Sequence, residues 1–143
     1  VKCIYIDPPY NTGNEKWAYN DNVNSPMMKE WLGKVVDGDD LTRHDKWLCM
    51  MMPRLKLLRE LMHEDGGIFV SIDYNEESHL RMLMDEVFGE ENYRNTFVVA
   101  RVKKNIQENE KVRAVNFGYN SVLFYAKSGE CLIHPPQKYQ RKE

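Results

Sequence analysis

The chain has 143 residues, 42% hydrophobic and 29% charged, with a formal net charge of −2. That length suits one domain with a real but modest core, and the balance is that of a soluble globular protein. No apolar run approaches bilayer-spanning length and no secretory leader is visible, and with a net negative charge any grip on phosphate must come from local clusters of Lys and Arg.

The first element is a strand. Val1-Lys2-Cys3-Ile4-Tyr5-Ile6 is apolar, β-branched and aromatic, and it runs into Asp7-Pro8-Pro9-Tyr10. Neither proline can donate to a sheet ladder, so the strand must stop there. A carboxylate, a carbonyl and an aromatic ring are thereby held at the carboxyl end of a strand, where open α/β sheets bind their ligands. The plain alternative is a proline-rich strand exit with Tyr10 packed as a lid. The chemistry of the corner suits an exocyclic amino group of a nucleobase, a poor nucleophile because its lone pair is delocalised into the ring. Asp7 and the carbonyl of Pro8 could each accept one of its hydrogens, which favours a pyramidal nitrogen with a localised lone pair. Tyr10 offers a face for stacking, and a base inside a duplex must be flipped out to reach it.

Thr12 to His44 is a long polar connection, of the kind that is functional or disordered. Ser25-Pro26 reads as a helix start, with Met27, Met28, Trp31, Leu32 and Val35 on one side of a short helix ending near Gly38. Trp17 and Tyr19 anchor this loop or line a base pocket. Asp37-Gly38-Asp39-Asp40 reads as a solvated turn without the remaining ligands of a calcium loop. A longer helix is expected from about Asp45 to Glu64, with Leu48, Met51, Met52, Leu55, Leu58, Leu61 and Met62 as its apolar stripe and a kink or restart at Pro53. Gly66-Gly67 then opens a second strand through Asp73, and the helix between the strands makes them parallel. Asp73 should fall at the same sheet edge as Asp7, more naturally binding turn amides or capping a helix than touching a ligand.

Glu76 to Phe88 reads as the next helix, with Leu80, Leu83, Met84 and Val87 inward and Gly89 as its stop. A third strand covers Tyr93 to Val102 and a fourth Ser121 to Ala126, turned at Ser128-Gly129. Between them Lys103 to Asn116 has no hydrophobic period. Its basic residues, with Arg101, form a cluster (Arg101, Lys103, Lys104, Lys111, Arg113) that either contacts DNA phosphates or is a solvated face. The three cysteines are odd in number and far apart, as in a reducing, cytoplasmic setting. The four histidines show no metal-ligand spacing with them, so no metal site is expected.

Asp7-Pro8-Pro9-Tyr10 resembles the catalytic signature of S-adenosylmethionine-dependent DNA amino-methyltransferases. The run on through Asn11-Thr12-Gly13-Asn14 resembles the adenine-N6 enzymes, especially the modification subunits of bacterial type III restriction systems. Cys49-Met50-Met51-Met52-Pro53-Arg54-Leu55-Lys56-Leu57-Leu58, Gly67-Ile68-Phe69-Val70-Ser71-Ile72-Asp73 and Asn120-Ser121-Val122-Leu123-Phe124-Tyr125-Ala126-Lys127-Ser128 are similar to further segments of those subunits. The resemblance implies an α/β fold: part of a Rossmann-like methyltransferase sheet, parallel strands with an antiparallel last strand, and the cofactor-binding half missing. It implies Asp7, Pro8, Pro9 and Tyr10 as catalytic residues, Asp7 and Pro8 at the cofactor S-adenosyl-L-methionine, and Tyr10 and Phe117 on the two faces of a flipped base. It places a lid role on the Thr12–His44 loop. Its implied partners are double-stranded DNA, a restriction subunit and a second copy of a longer parent.

No Gly-x-Gly turn of the kind that lets backbone approach a cofactor occurs in the sequence. Residues 1–133 are therefore expected to be the catalytic half of a methyltransferase domain, excised from a longer protein, and 134–143 a linker or the start of a target-recognition region. Such a piece is expected to be inactive alone. Cytosine N4 is the alternative target, and a non-catalytic nucleic-acid or subunit-binding module the alternative class.

Overall fold

The computed structural model describes residues 1–11, 43–101 and 118–134. Four strands and two helices account for most of them: β1 (Cys3–Ile6), α1 (Arg43–Leu61), β2 (Gly67–Ile72), α2 (Glu77–Phe88), β3 (Tyr93–Ala100) and β4 (Tyr119–Ala126). The expected helix over Ser25 to Gly38, the aromatics Trp17 and Tyr19 and the tail beyond His134 lie outside the described residues. Among the described residues no helix is long and apolar enough to cross a membrane.

The sheet order is β1-β2-β4-β3. β1 and β2 pair in parallel, with Tyr5 beside Phe69, as the intervening helix requires. β4 is antiparallel to both neighbours, Leu123 lying opposite Val70 on one side and Thr96 on the other. The architecture is α/β with a mixed four-stranded sheet whose last strand is antiparallel, as expected, and lies between two earlier ones.

Strand alternation divides the sheet into two unlike faces. Ile68, Val70, Ile72, Leu123 and Tyr125 point to one face and are almost wholly buried with Met51, Leu55, Leu80, Met84 and Phe88 of the helices. Tyr5, Phe69, Phe97 and Phe124 share the other, where Phe69 and Phe124 stack at 4.3 Å. That face is partly open, for Tyr5, Phe97 and Val99 are exposed. Gly67 makes room for the stack, since a Cβ there would lie 2.7 Å from the Phe124 ring.

The helices depart from expectation in detail. α1 runs unbroken through Pro53 with no restart, and the guanidinium of Arg54 donates to the Met50 carbonyl at 2.7 Å in the turn that the proline weakens. The helix ends at Leu61, whose side chain is exposed, while Met62 just past it is buried. The stripe also includes Trp47, completely buried, which continues the four-residue spacing of Met51 and Leu55 one turn earlier. α2 keeps the expected inward side, and Gly89 stops it at φ 91, a backbone angle that other residues adopt only with strain.

Candidate active site

β1 ends at Ile6, and Asp7-Pro8-Pro9-Tyr10 leaves the sheet at its carboxyl edge. Asp7 is exposed and makes no ion pair among the described residues. One of its oxygens accepts the Tyr10 hydroxyl at 2.8 Å, and the other has no hydrogen-bond donor on it among the described residues. The carbonyl of Pro8 has no hydrogen-bond partner among the described residues, because the following residue is a proline and no strand lies alongside. The carbonyl of Pro9, by contrast, is taken by the indole N–H of Trp47 at 2.7 Å. A helix side chain seated in the core thus fixes the direction of the loop.

Tyr10 packs partly against the core. Burial and the neighbouring Asp7 carboxylate push its phenol up to about 12, so it remains a donor throughout the physiological range. Two further hydroxyls stand near it, those of Tyr5 and Ser71, which pair with each other at 2.8 Å. Neither follows from the sequence, because Ser71 meets Tyr5 only through the register that sets Tyr5 beside Phe69.

Asp73 lies at the same edge but is buried. Its carboxylate accepts the backbone N–H of Asn75 at 3.0 Å and the side-chain amide of Asn75 at 2.8 Å. This is the turn-binding role.

β3 runs parallel to β1, so its carboxyl end opens on the same edge as Asp7. Arg101, exposed, follows it, and its N–H donates to the Gly118 carbonyl at 2.8 Å. The remaining basic residues of the cluster, Lys103, Lys104, Lys111 and Arg113, and the second stacking residue, Phe117, lie outside the described residues. With two strands between them, β1 and β3 are three spacings apart, about 14 Å.

One polar cluster was not foreseen. Asn11, directly after Tyr10, sits at φ 55 and donates its amide to Glu76 at 2.5 Å. Glu76 is completely buried and is also met by His44 and His79. Both histidines are half-buried. The Glu76-x-x-His79 spacing, which puts both on one helix face, was the available signal; His44 joins them only through the fold.

Comparison with known proteins gives the lineage. The family model described as DNA methylase, covering amino-group N6 and N4 enzymes, matches residues 1–143. The chain belongs to the N6/N4 DNA methylase family. It is 42% identical to the Mod subunit of the type III restriction-modification enzyme EcoP15I of Escherichia coli, over 93% of this chain and 22% of that protein. It is 37% identical to the StyLTI Mod subunit of Salmonella typhimurium, over 91% of this chain and 21% of the relative. A type II methyltransferase, M.KpnI of Klebsiella pneumoniae, is 36% identical over 90% of this chain and 27% of its own length. The chain thus spans about a fifth to a quarter of these relatives.

Proposed function

We propose that the protein carrying this chain is a site-specific DNA methyltransferase of the type III modification kind, acting on adenine N6 of a flipped base. The carrying observation is a pair of acceptors at the sheet's carboxyl edge that have no donor on them among the described residues: the second oxygen of an exposed Asp7 and the carbonyl of Pro8. The Pro8-Pro9 unit restricts how far this corner can reorganise.

S-adenosyl-L-methionine, when bound, supplies an electrophilic methyl on a sulfonium. The corner suits that end of the cofactor, because a carboxylate and aromatic rings are favourable neighbours for a cation. The described residues offer no glycine-lined cradle for the rest of it. Gly66 and Gly67 lie at the opposite edge, and Gly118, at the right edge, has open space around it. The remaining cofactor contacts are therefore assigned to other parts of the protein, in keeping with a Rossmann-like sheet of which this chain forms the catalytic part.

Asp7 and Pro8 accept the two amino hydrogens and free the nitrogen lone pair for attack. As the new bond forms, the nitrogen becomes more acidic, and its surplus proton passes to Asp7 or to water. Tyr10 stacks on the base through its ring, while its hydroxyl holds Asp7 in place. Arg101, at the same edge, and the basic residues that follow it in sequence bind phosphate. Duplex DNA and a restriction subunit are the partners this reading requires, and three free thiols suit a cytoplasmic enzyme.

The test incubates the protein with tritiated cofactor and duplex DNA, then analyses the nucleosides. N6-methyladenine is expected. N4-methylcytosine would transfer the reading to the other target of the family, and DNA binding without any methylated nucleoside would overturn it.

A further inference from the structure

The cluster around Glu76 has a chemistry that methyl transfer does not use. Its carboxylate is completely buried, at the N-cap of α2, with no Lys or Arg beside it among the described residues. Oε1 accepts the Asn11 amide and lies 2.7 Å from Nδ1 of His44. Oε2 lies 2.9 Å from Nδ1 of His79, but off the angle of a hydrogen bond. Both of those atoms are therefore buried without a hydrogen-bonding partner. The two imidazoles face one another with centroids 4.7 Å apart. An uncompensated buried carboxylate costs several kcal/mol, and two orphaned atoms aimed at each other lack a positive centre between them.

We propose that His44, Glu76 and His79 bind one divalent cation of the zinc class. One ligand atom from each residue lies within 4.8 Å of the others, so the set can close on an ion with bonds of roughly 2.0–2.2 Å. Two imidazole nitrogens and one carboxylate oxygen select zinc, cobalt or nickel over magnesium and calcium, which take oxygen donors. Three protein ligands leave a fourth position for water. The imidazoles are about one third exposed, so an ion can enter between them without unfolding the core. On binding, the proton between His44 and Glu76 Oε1 leaves for solvent or moves to the far ring nitrogen, and the ion takes its place.

The site clamps three pieces of chain: the first turn of α1, the cap of α2 and, through the Asn11–Glu76 bond, the residue that follows Tyr10. The ion sits behind the candidate active site, as a positioning device that touches no substrate. The proposal does not depend on the methyl-transfer reading.

Cobalt titration of tag-free, chelator-treated protein, followed by visible absorption, tests it. Expected are one cobalt per chain with the ligand-field bands of a four-coordinate nitrogen–oxygen site, their displacement by zinc, and a rise in Tm with either ion. His79→Ala, at a half-exposed position, should fold and weaken cobalt by about a hundredfold or more, and Glu76→Gln should do the same. The assignment is overturned if no bands appear in folded protein, if His79→Ala binds equally well, or if a thiolate charge-transfer band shows that a cysteine such as Cys49 supplies the ligand.

Discussion

At the residue scale the account rests on how Asp7-Pro8-Pro9-Tyr10 is held. One oxygen of Asp7 accepts the Tyr10 hydroxyl and Trp47 takes the Pro9 carbonyl, while the other Asp7 oxygen and the Pro8 carbonyl have no donor on them among the described residues. The raised phenol of Tyr10 has a direct consequence. Its neutral form is favoured in the folded protein, so this contribution to stability is fully present below the ordinary tyrosine range and is lost as pH rises towards about 12. A tyrosinate absorbance titration, taken as the difference between the parent and Tyr10→Phe, should place this residue near 12; a transition near the ordinary value of about 10 would refute the Asp7 contact. The tetrapeptide itself was plain in the sequence. Its supports were not, since Trp47, Tyr5 and Ser71 come to it from other elements, and sequence spacing carries no record of their approach.

At the scale of elements, periodicity was a good guide wherever one face is buried. The four strands, the parallel β1–β2 pair and the inward side of α2 all follow from apolar alternation or helical spacing. The stripe of α1 was harder to read because Trp47 to Met52 is an unbroken run, Cys49 included, that makes nearly the whole circumference apolar, so composition alone does not choose the seam. Leu80→Ala should therefore cost about 2–5 kcal/mol in urea unfolding, whereas Leu61→Ala, at a site 62% exposed, should stay within about 0.5 kcal/mol. Equal effects would mean that α1 is rotated from the seam described. Trp47→Phe keeps an aromatic ring but loses the bond to the Pro9 carbonyl. It should cost about 1–3 kcal/mol and slow methyl transfer by loosening the loop; unchanged transfer in a folded variant would remove Trp47 from the supports of the site.

At the scale of the whole molecule, the parallel strands gather the chemistry on one edge. β1 and β3 deliver Asp7 and Arg101 there, and β4, running the other way, begins there just after Phe117. The sheet thereby sets the strand that carries Asp7 about 14 Å from the strand that carries Arg101. With a net charge of −2, the proposed grip on phosphate rests on local positive charge of this kind. Arg101→Ala should weaken DNA binding to a similar extent on all sequences and lower the salt slope by about one charge; a sequence-selective loss would mean base contact instead. The central claim, however, is that Asp7 works on the amino group during transfer rather than merely holding ligand. The most direct measurement compares single-turnover methyl transfer with cofactor affinity in the protein carrying Asp7→Ala. The transfer rate should fall by at least about a hundredfold while the cofactor Kd changes only a few-fold. Equal losses in both would contradict the account.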